Sequence, residues 1–195
     1  MVFLLCVSCA QKEKWEVYKD PNYPITIDYI ADPKKMEVTP TLVGEDPVLK
    51  QNGVVAEYRI DVEADFSEVH PNAEVLEGAY EIEIYKHEED FKKMVKFAYK
   101  KPVQQETLLN DTPAILISDP EHKYEEYILL FPGEYVSVYL DGLSASEKIT
   151  REALKHFHWT QPIDTTTPEF KAWKAHIWEI LNAPPPASPK PKGAN

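Results

Sequence analysis

The stretch VQQETLLNDTPAILISDPEHKYEEYILLFPGEYVSVYL, from Val103 to Leu140, decides the fold. It holds four short runs rich in β-branched and aromatic residues: Val103 to Leu109, Ala114 to Ser118, Tyr124 to Phe131 and Glu134 to Leu140. Asn110-Asp-Thr-Pro113, Asp119-Pro-Glu-His122 and Pro132-Gly133 separate them, all turn-forming combinations. Separators this short join neighbours, so the four runs are expected as an antiparallel meander.

Upstream of the meander, Val55 to Ala64 sorts Ala56, Tyr58, Ile60 and Val62 to one side and Glu57, Arg59, Asp61 and Glu63 to the other, the pattern of a half-buried strand. Tyr80-Glu-Ile-Glu-Ile-Tyr85 repeats that alternation, and Phe66 to Gly78 between them, with His70-Pro71-Asn72, reads as a loop. Tyr23 to Ile30 suits a first strand, with the turn-like Asp32-Pro33 behind it. The three prolines between Asp32 and Asn52 (Pro33, Pro40, Pro47) imply irregular or edge structure.

Elsewhere the period is helical. Phe91, Met94, Val95 and Ala98 predict an amphipathic helix over 88–100, acidic at its start and basic at its end, stopped by Pro102. Ser144-x-x-Glu147 reads as a capping box before Ile149, Ala153, Leu154 and Phe157, a second helix. Thr167-Pro168-Glu169 opens a third through Phe170, Trp173, Ile177 and Leu181. The expected plan is an α+β domain over 23–182, an antiparallel sheet with helices packed on it and an extra C-terminal helix, followed by a Pro-rich, disordered tail over 183–195.

One further likeness lies in the order of these elements. An N-terminal Tyr23-Pro-x-x-Ile-x-Tyr29 strand precedes a mid-chain helix, Leu109-Asn-Asp-Thr-Pro-Ala114, a hairpin ending in Tyr135-Val-Ser-Val-Tyr139, and a closing helix with Phe157-His-Trp159. This order resembles the PsbP-like α/β/α sandwich, a family that includes several bacterial envelope proteins. The resemblance covers residues 23 to 160 and implies a non-enzymatic accessory or binding domain. The third helix and the tail depart from it, and it carries over no functional residue.

The N-terminus bears on location. Met1-Val-Phe-Leu-Leu-Cys-Val-Ser-Cys9 is apolar and uncharged and runs directly into Gln11-Lys-Glu-Lys14, which reads as the end of a bacterial lipoprotein signal with Cys9 as the lipidated residue. Residues 10–22 then serve as a linker. Only Ser8 fits the residues expected before a lipidated cysteine, and no basic leader precedes the run; a start codon assigned too late accounts for the missing leader. Ala10 rather than Asp after Cys9 points to the outer membrane, facing the periplasm, by analogy with Gram-negative sorting. A plain buried apolar terminus and a Cys6-x-x-Cys9 redox or metal pair are the competing readings.

A net charge of −12 disfavours nucleic acid, whose phosphates need clustered Lys and Arg, and equally disfavours adsorption of the protein body on anionic lipid. Beyond the N-terminus no run approaches the roughly 20 apolar residues of a membrane helix. Six glycines leave no P-loop or dinucleotide fingerprint, and neither a Gly-x-Ser-x-Gly elbow nor a His-Glu-x-x-His motif is present. No cofactor is called for.

Three weaker constellations remain. His156-Phe-His158 would put two imidazoles on one side if extended there, with His70, His122 and His176 as further ligands, although histidines closing a helix are the simpler reading. Asp61-x-Glu63-x-Asp65 resembles the start of a calcium loop, but Phe66 and Asn72 stand where glycine and glutamate are required. Glu125 and Glu126, adjacent on a strand, point to opposite faces, one exposed and one pocket-side.

Tyrosines supply the candidate surface for a ligand or partner. Tyr124, Tyr127, Tyr135 and Tyr139 lie on neighbouring strands, and Tyr135 and Tyr139 share a face with Ser137. Trp178 sits beside the apolar stripe of the third helix and is a second contact candidate. The favoured reading is a membrane-anchored, non-catalytic module that binds an envelope protein or small ligand. The alternative is a small metal-dependent or hydrolytic enzyme whose site, drawn from His122, Glu126, His156 and His158, assembles only in the fold.

Overall fold

Both meander turns that can be followed residue by residue use backbone conformations their sequences favour. Asn110 and Asp111 adopt φ of 47° and 67° between the paired Leu109 and Thr112, the left-handed geometry that closes a two-residue hairpin without splaying its strands. Gly133, at φ 92°, serves between Phe131 and Glu134.

In the computed structural model, the described residues are 14–30, 36–42, 47–63, 76–97, 103–119, 121, 124–140 and 148–184. They form β1 (Trp15–Lys19), β2 (Ile25–Ile30), β3 (Met36–Leu42), α1 (Pro47–Gln51), β4 (Val54–Glu63), β5 (Leu76–Tyr85), α2 (Glu88–Phe97), β6 (Val103–Leu109), β7 (Thr112–Asp119), β8 (Tyr124–Phe131), β9 (Glu134–Leu140), α3 (Lys148–Leu154), β10 (Phe157–Trp159) and α4 (Pro168–Asn182). One sheet has the order β3-β4-β5-β9-β8-β7-β6 and a smaller one β1-β2-β10, and every described pairing is antiparallel. The meander folds back so that β9 meets β5, and β6 becomes an outer strand. Pro40, without an N–H to give, sits on β3 at the opposite edge, where that loss is tolerated.

One face of the large sheet carries Tyr58, Ile60, Ile82, Ile84, Val136, Val138 and Leu129. It packs against Ile25, Ile27, Phe157 and Trp159 of the small sheet and Ala153 and Leu154 of α3. The other face carries Ile115, Ile117, Ile128 and Leu130 under Phe91 and Val95 of α2 and Phe170, Ile177 and Ile180 of α4. Burying such an aliphatic or aromatic side chain contributes about 1.5–3 kcal/mol, so these two layers dominate the stability.

Local bonds fix the covers. Thr167 caps α4 by accepting from the Phe170 N–H at 3.1 Å, with Pro168 behind it. Asn110 Nδ2 donates to the Leu154 and Phe157 carbonyls at 2.7 and 2.6 Å and ties the β6–β7 turn to the α3–β10 connection. Gly53, at φ 74°, lies so close to α2 that a Cβ there would overlap the Asp90 carboxylate.

The α+β plan, the meander and the C-terminal helix agree with the sequence reading; other expectations change. The 10–22 linker contains β1, which pairs along its whole length with β2. Strand β5 begins at Leu76, within the expected loop, and a register shift between Ile60 and Asp61 accommodates its longer course. Phe157-His-Trp159 is not helical: the second helix stops at Leu154, and the three residues pair with Ile25 to Ile27 because Phe157 and Trp159 bury on the inner side of the small sheet. Cys9, the Ser144 capping box and the tail beyond Pro184 lie outside the described residues.

Candidate functional site

Antiparallel register lays the helix-side face of the large sheet out in rows. One row runs Glu57, Glu83, Ser137, Ile128, Ile115, and the next runs Arg59, Glu81, Tyr139, Glu126, Ile117. Both change from charged to apolar along the way, and the change falls in the middle of the sheet, on β9 and β8.

Two carboxyl groups stand at that boundary. Glu126 is 5% exposed and accepts a 2.5 Å hydrogen bond from Ser137 Oγ and a 3.4 Å bond from the Tyr124 hydroxyl. Burial pushes its carboxyl pKa up, against the two hydroxyls that favour the anion. Glu83 is raised too, first by burial and then by the charges of Glu57 and Glu126, while the Tyr85 hydroxyl donates to it and works the other way. The tyrosines respond in kind: burial beside these acids pushes the Tyr124 and Tyr85 hydroxyls well above their usual range. The rings of Tyr124 and Tyr139 lie 5.4 Å apart. On the outer side of the patch Arg59 Nε holds Asp61 at 3.0 Å and its guanidinium reaches Glu81 at 3.7 Å.

Hydroxyls therefore reach both inner acids. A carboxyl in this setting is a hydrogen-bond acceptor when ionised and a donor when protonated, beside two aromatic faces. The arrangement suits recognition of a cationic or hydrogen-bonding group.

The expected tyrosine surface divides. Tyr124 and Tyr139 belong to this patch. Tyr135 shares their face but sits beneath the helices: its ring lies 5.2 Å from Phe91 and 5.1 Å from Trp173, and its hydroxyl donates to Glu88 at 3.2 Å. Burial pushes that hydroxyl up to about 12. Glu88 also takes Lys92 and, at 3.0 Å, His176 Nε2, and the Lys92 bond first holds its carboxyl below the usual range. Tyr127 is a correction: it points to the opposite face, beside Val138, with its hydroxyl 3.5 Å from Glu125. Strand alternation separates it from Tyr124 by an odd step. Trp178 packs on the domain, its Nε1 donating to Glu106 at 3.3 Å alongside Lys174 at 3.0 Å.

Glu125 and Glu126 do point to opposite faces, Glu125 into a two-pronged pair with Arg151 at 2.8 Å. His156 and His158 flank an extended residue as required for shared ligation, but His156 lies against Trp15 at 4.3 Å and His158 approaches Asp28 at 3.8 Å. They lie at the small sheet, across the large sheet from Glu126, so neither imidazole is brought to that carboxyl; His122 and His70 lie outside the described residues. Among the described residues no group of three or more His, Cys, Asp or Glu is arranged to hold a metal, and Asp61 is engaged by Arg59. Asp65, Phe66 and Asn72 lie outside them. No described helix is long and apolar enough to cross a membrane.

Glu83 and Tyr85 were not singled out in the sequence. Their alternation is visible there, but only the pairing of β5 with β9 brings Glu83 beside Ser137. Compared with protein-family models, curated proteins and solved structures, the chain matches none.

Proposed function

We propose that this chain is a lipid-anchored envelope protein whose α+β domain is a non-catalytic binding module, with Tyr124, Tyr139, Glu83, Glu126 and Ser137 as its recognition patch. The observation that carries the reading is two carboxyls in mid-sheet, Glu126 buried and Glu83 half-buried, that accept hydrogen bonds from the Ser137, Tyr124 and Tyr85 hydroxyls. Burying an acid costs stability, and sites where local rules are broken are where function concentrates. The ligand class is a cationic or hydroxyl-bearing group, on a small molecule or an envelope protein. Anchorage through Cys9, with the outer membrane as its site, rests on the apolar run before it. The PsbP-like assignment rests on element order and is compatible with an accessory role.

Two measurements test this. Radiolabelled palmitate should enter the protein, expressed with an upstream-extended start, and not its Cys9→Ser variant. A thermal-shift panel of polyamines, amino sugars and neutral saccharides should contain a compound that raises Tm in wild type and not in Glu126→Gln or Tyr139→Ala. Equal shifts in all three proteins would remove the patch as the binding site.

A further inference from the structure

Strand β1 is an edge of the three-stranded sheet and alternates cleanly: Glu16 and Tyr18 are partly buried, whereas Trp15, Val17 and Lys19 are exposed. Trp15 is 45% and Val17 54% exposed, two of the large apolar side chains left in water, on one side of one strand. Ile30 is the cross-strand partner of Trp15, and the His156 ring lies against the indole.

Chain length and charge say what covers it. Five residues separate Cys9 from Trp15, and fully extended they reach about 20 Å. A lipid on Cys9 would therefore hold β1 within headgroup distance of the bilayer. Charge is balanced differently here than on the recognition patch: the exposed Lys14 and Lys19 offset Glu16 and Asp28, in a chain of net charge −12. Tryptophan is the side chain that favours the membrane interface, with an apolar body and one polar edge.

We infer that the outer side of the three-stranded sheet, centred on Trp15 and Val17, docks on the phospholipid surface to which Cys9 tethers the chain. Two apolar side chains would not hold a free protein on a bilayer. Tethering makes the contact intramolecular, and at such effective concentration a weak contact is populated. Docking this side leaves the large sheet's helix-covered face, with Glu83 and Glu126, turned away from the membrane. The inference rests on the Cys9 anchor proposed above.

The test supplies the tether chemically, so that the two ideas fail separately. The full chain carrying Cys6→Ser is coupled through Cys9 to a maleimide-headgroup lipid in phosphatidylcholine vesicles, with and without brominated acyl chains. Tryptophan emission should be quenched by bromine, with most of the quenching lost in Trp15→Phe and part of it in Val17→Asp. Emission unchanged by bromine, or quenching that persists in Trp15→Phe, overturns the docking even if Cys9 carries palmitate in cells. Missing palmitate overturns the anchor whatever the vesicles show.

Discussion

The two faces of the seven-stranded sheet are written by the same strands and differ in kind. Toward the small sheet, β4, β5, β9 and β8 present Tyr58, Ile60, Ile82, Ile84, Val136, Val138 and Leu129, all buried. Toward the helices the intervening residues are Glu57, Glu81, Glu83, Ser137, Tyr139 and Glu126 at one end, and only the other end is apolar. Hydrophobic burial accounts for most of the first face, which also carries Glu125, paired with Arg151. It accounts for the apolar end of the second, whereas at the other end burial pushes the Glu83 and Glu126 carboxyls up.

The largest effect should come from the apolar face. Ile82→Ala removes a fully buried side chain and should cost about 2–5 kcal/mol in urea unfolding, with no change in any ligand-induced thermal shift. A cost under 1 kcal/mol would mean that face is loosely packed and the contrast between the faces overstated.

Next comes the fastening of its cover. Asn110→Ala loses two hydrogen bonds to the α3–β10 connection and puts alanine at positive φ, for about 2 kcal/mol. Asn110→Gly should recover the conformational part alone, a difference read from paired denaturation curves. On the helix-covered side, Thr167→Ala removes the α4 cap and should cost about 1 kcal/mol.

The smallest effect, and the most telling, is that of Glu126→Gln. An acid whose folded pKa is raised binds its proton more tightly in the folded state. Its contribution is fully present below the ordinary value of 4.5 and is lost as pH rises through the raised folded value. The glutamine variant should therefore match wild type at pH 4 and exceed it at pH 8, by less than about 1 kcal/mol. Denaturation midpoints that fall at pH 8 would show that the carboxylate supports the fold, and would undercut the division between the faces.

Much of this architecture is legible in the sequence. Alternation in Val55 to Val62 and the turn residues of 103–140 encode strands and their neighbours locally, and Thr167-Pro168 marks a helix start within three residues. What could not be read depends on partners distant in sequence. Phe157 to Trp159 looks like the end of a helix until β2 offers a strand to pair with, and Trp15 to Lys19 looks like a linker for the same reason. The site was half legible: Tyr124, Tyr139 and the inward Glu126 follow from alternation, whereas Glu83 joins them only through the β5–β9 pairing, and Tyr135 leaves them only because α2 and α4 cover it.

The small sheet joins the start of the chain to a segment well over a hundred residues later, and Thr160 closes it with an N–H bond of 2.7 Å to the Pro24 carbonyl. Contacts of such sequence separation are made late, after the loop between them has lost its freedom. During synthesis the β1–β2 hairpin must wait without its third strand until Phe157 has been made, with Ile25 and Ile27 uncovered in the meantime. A chain built this way delays its own completion and stays open to chaperones for most of its synthesis.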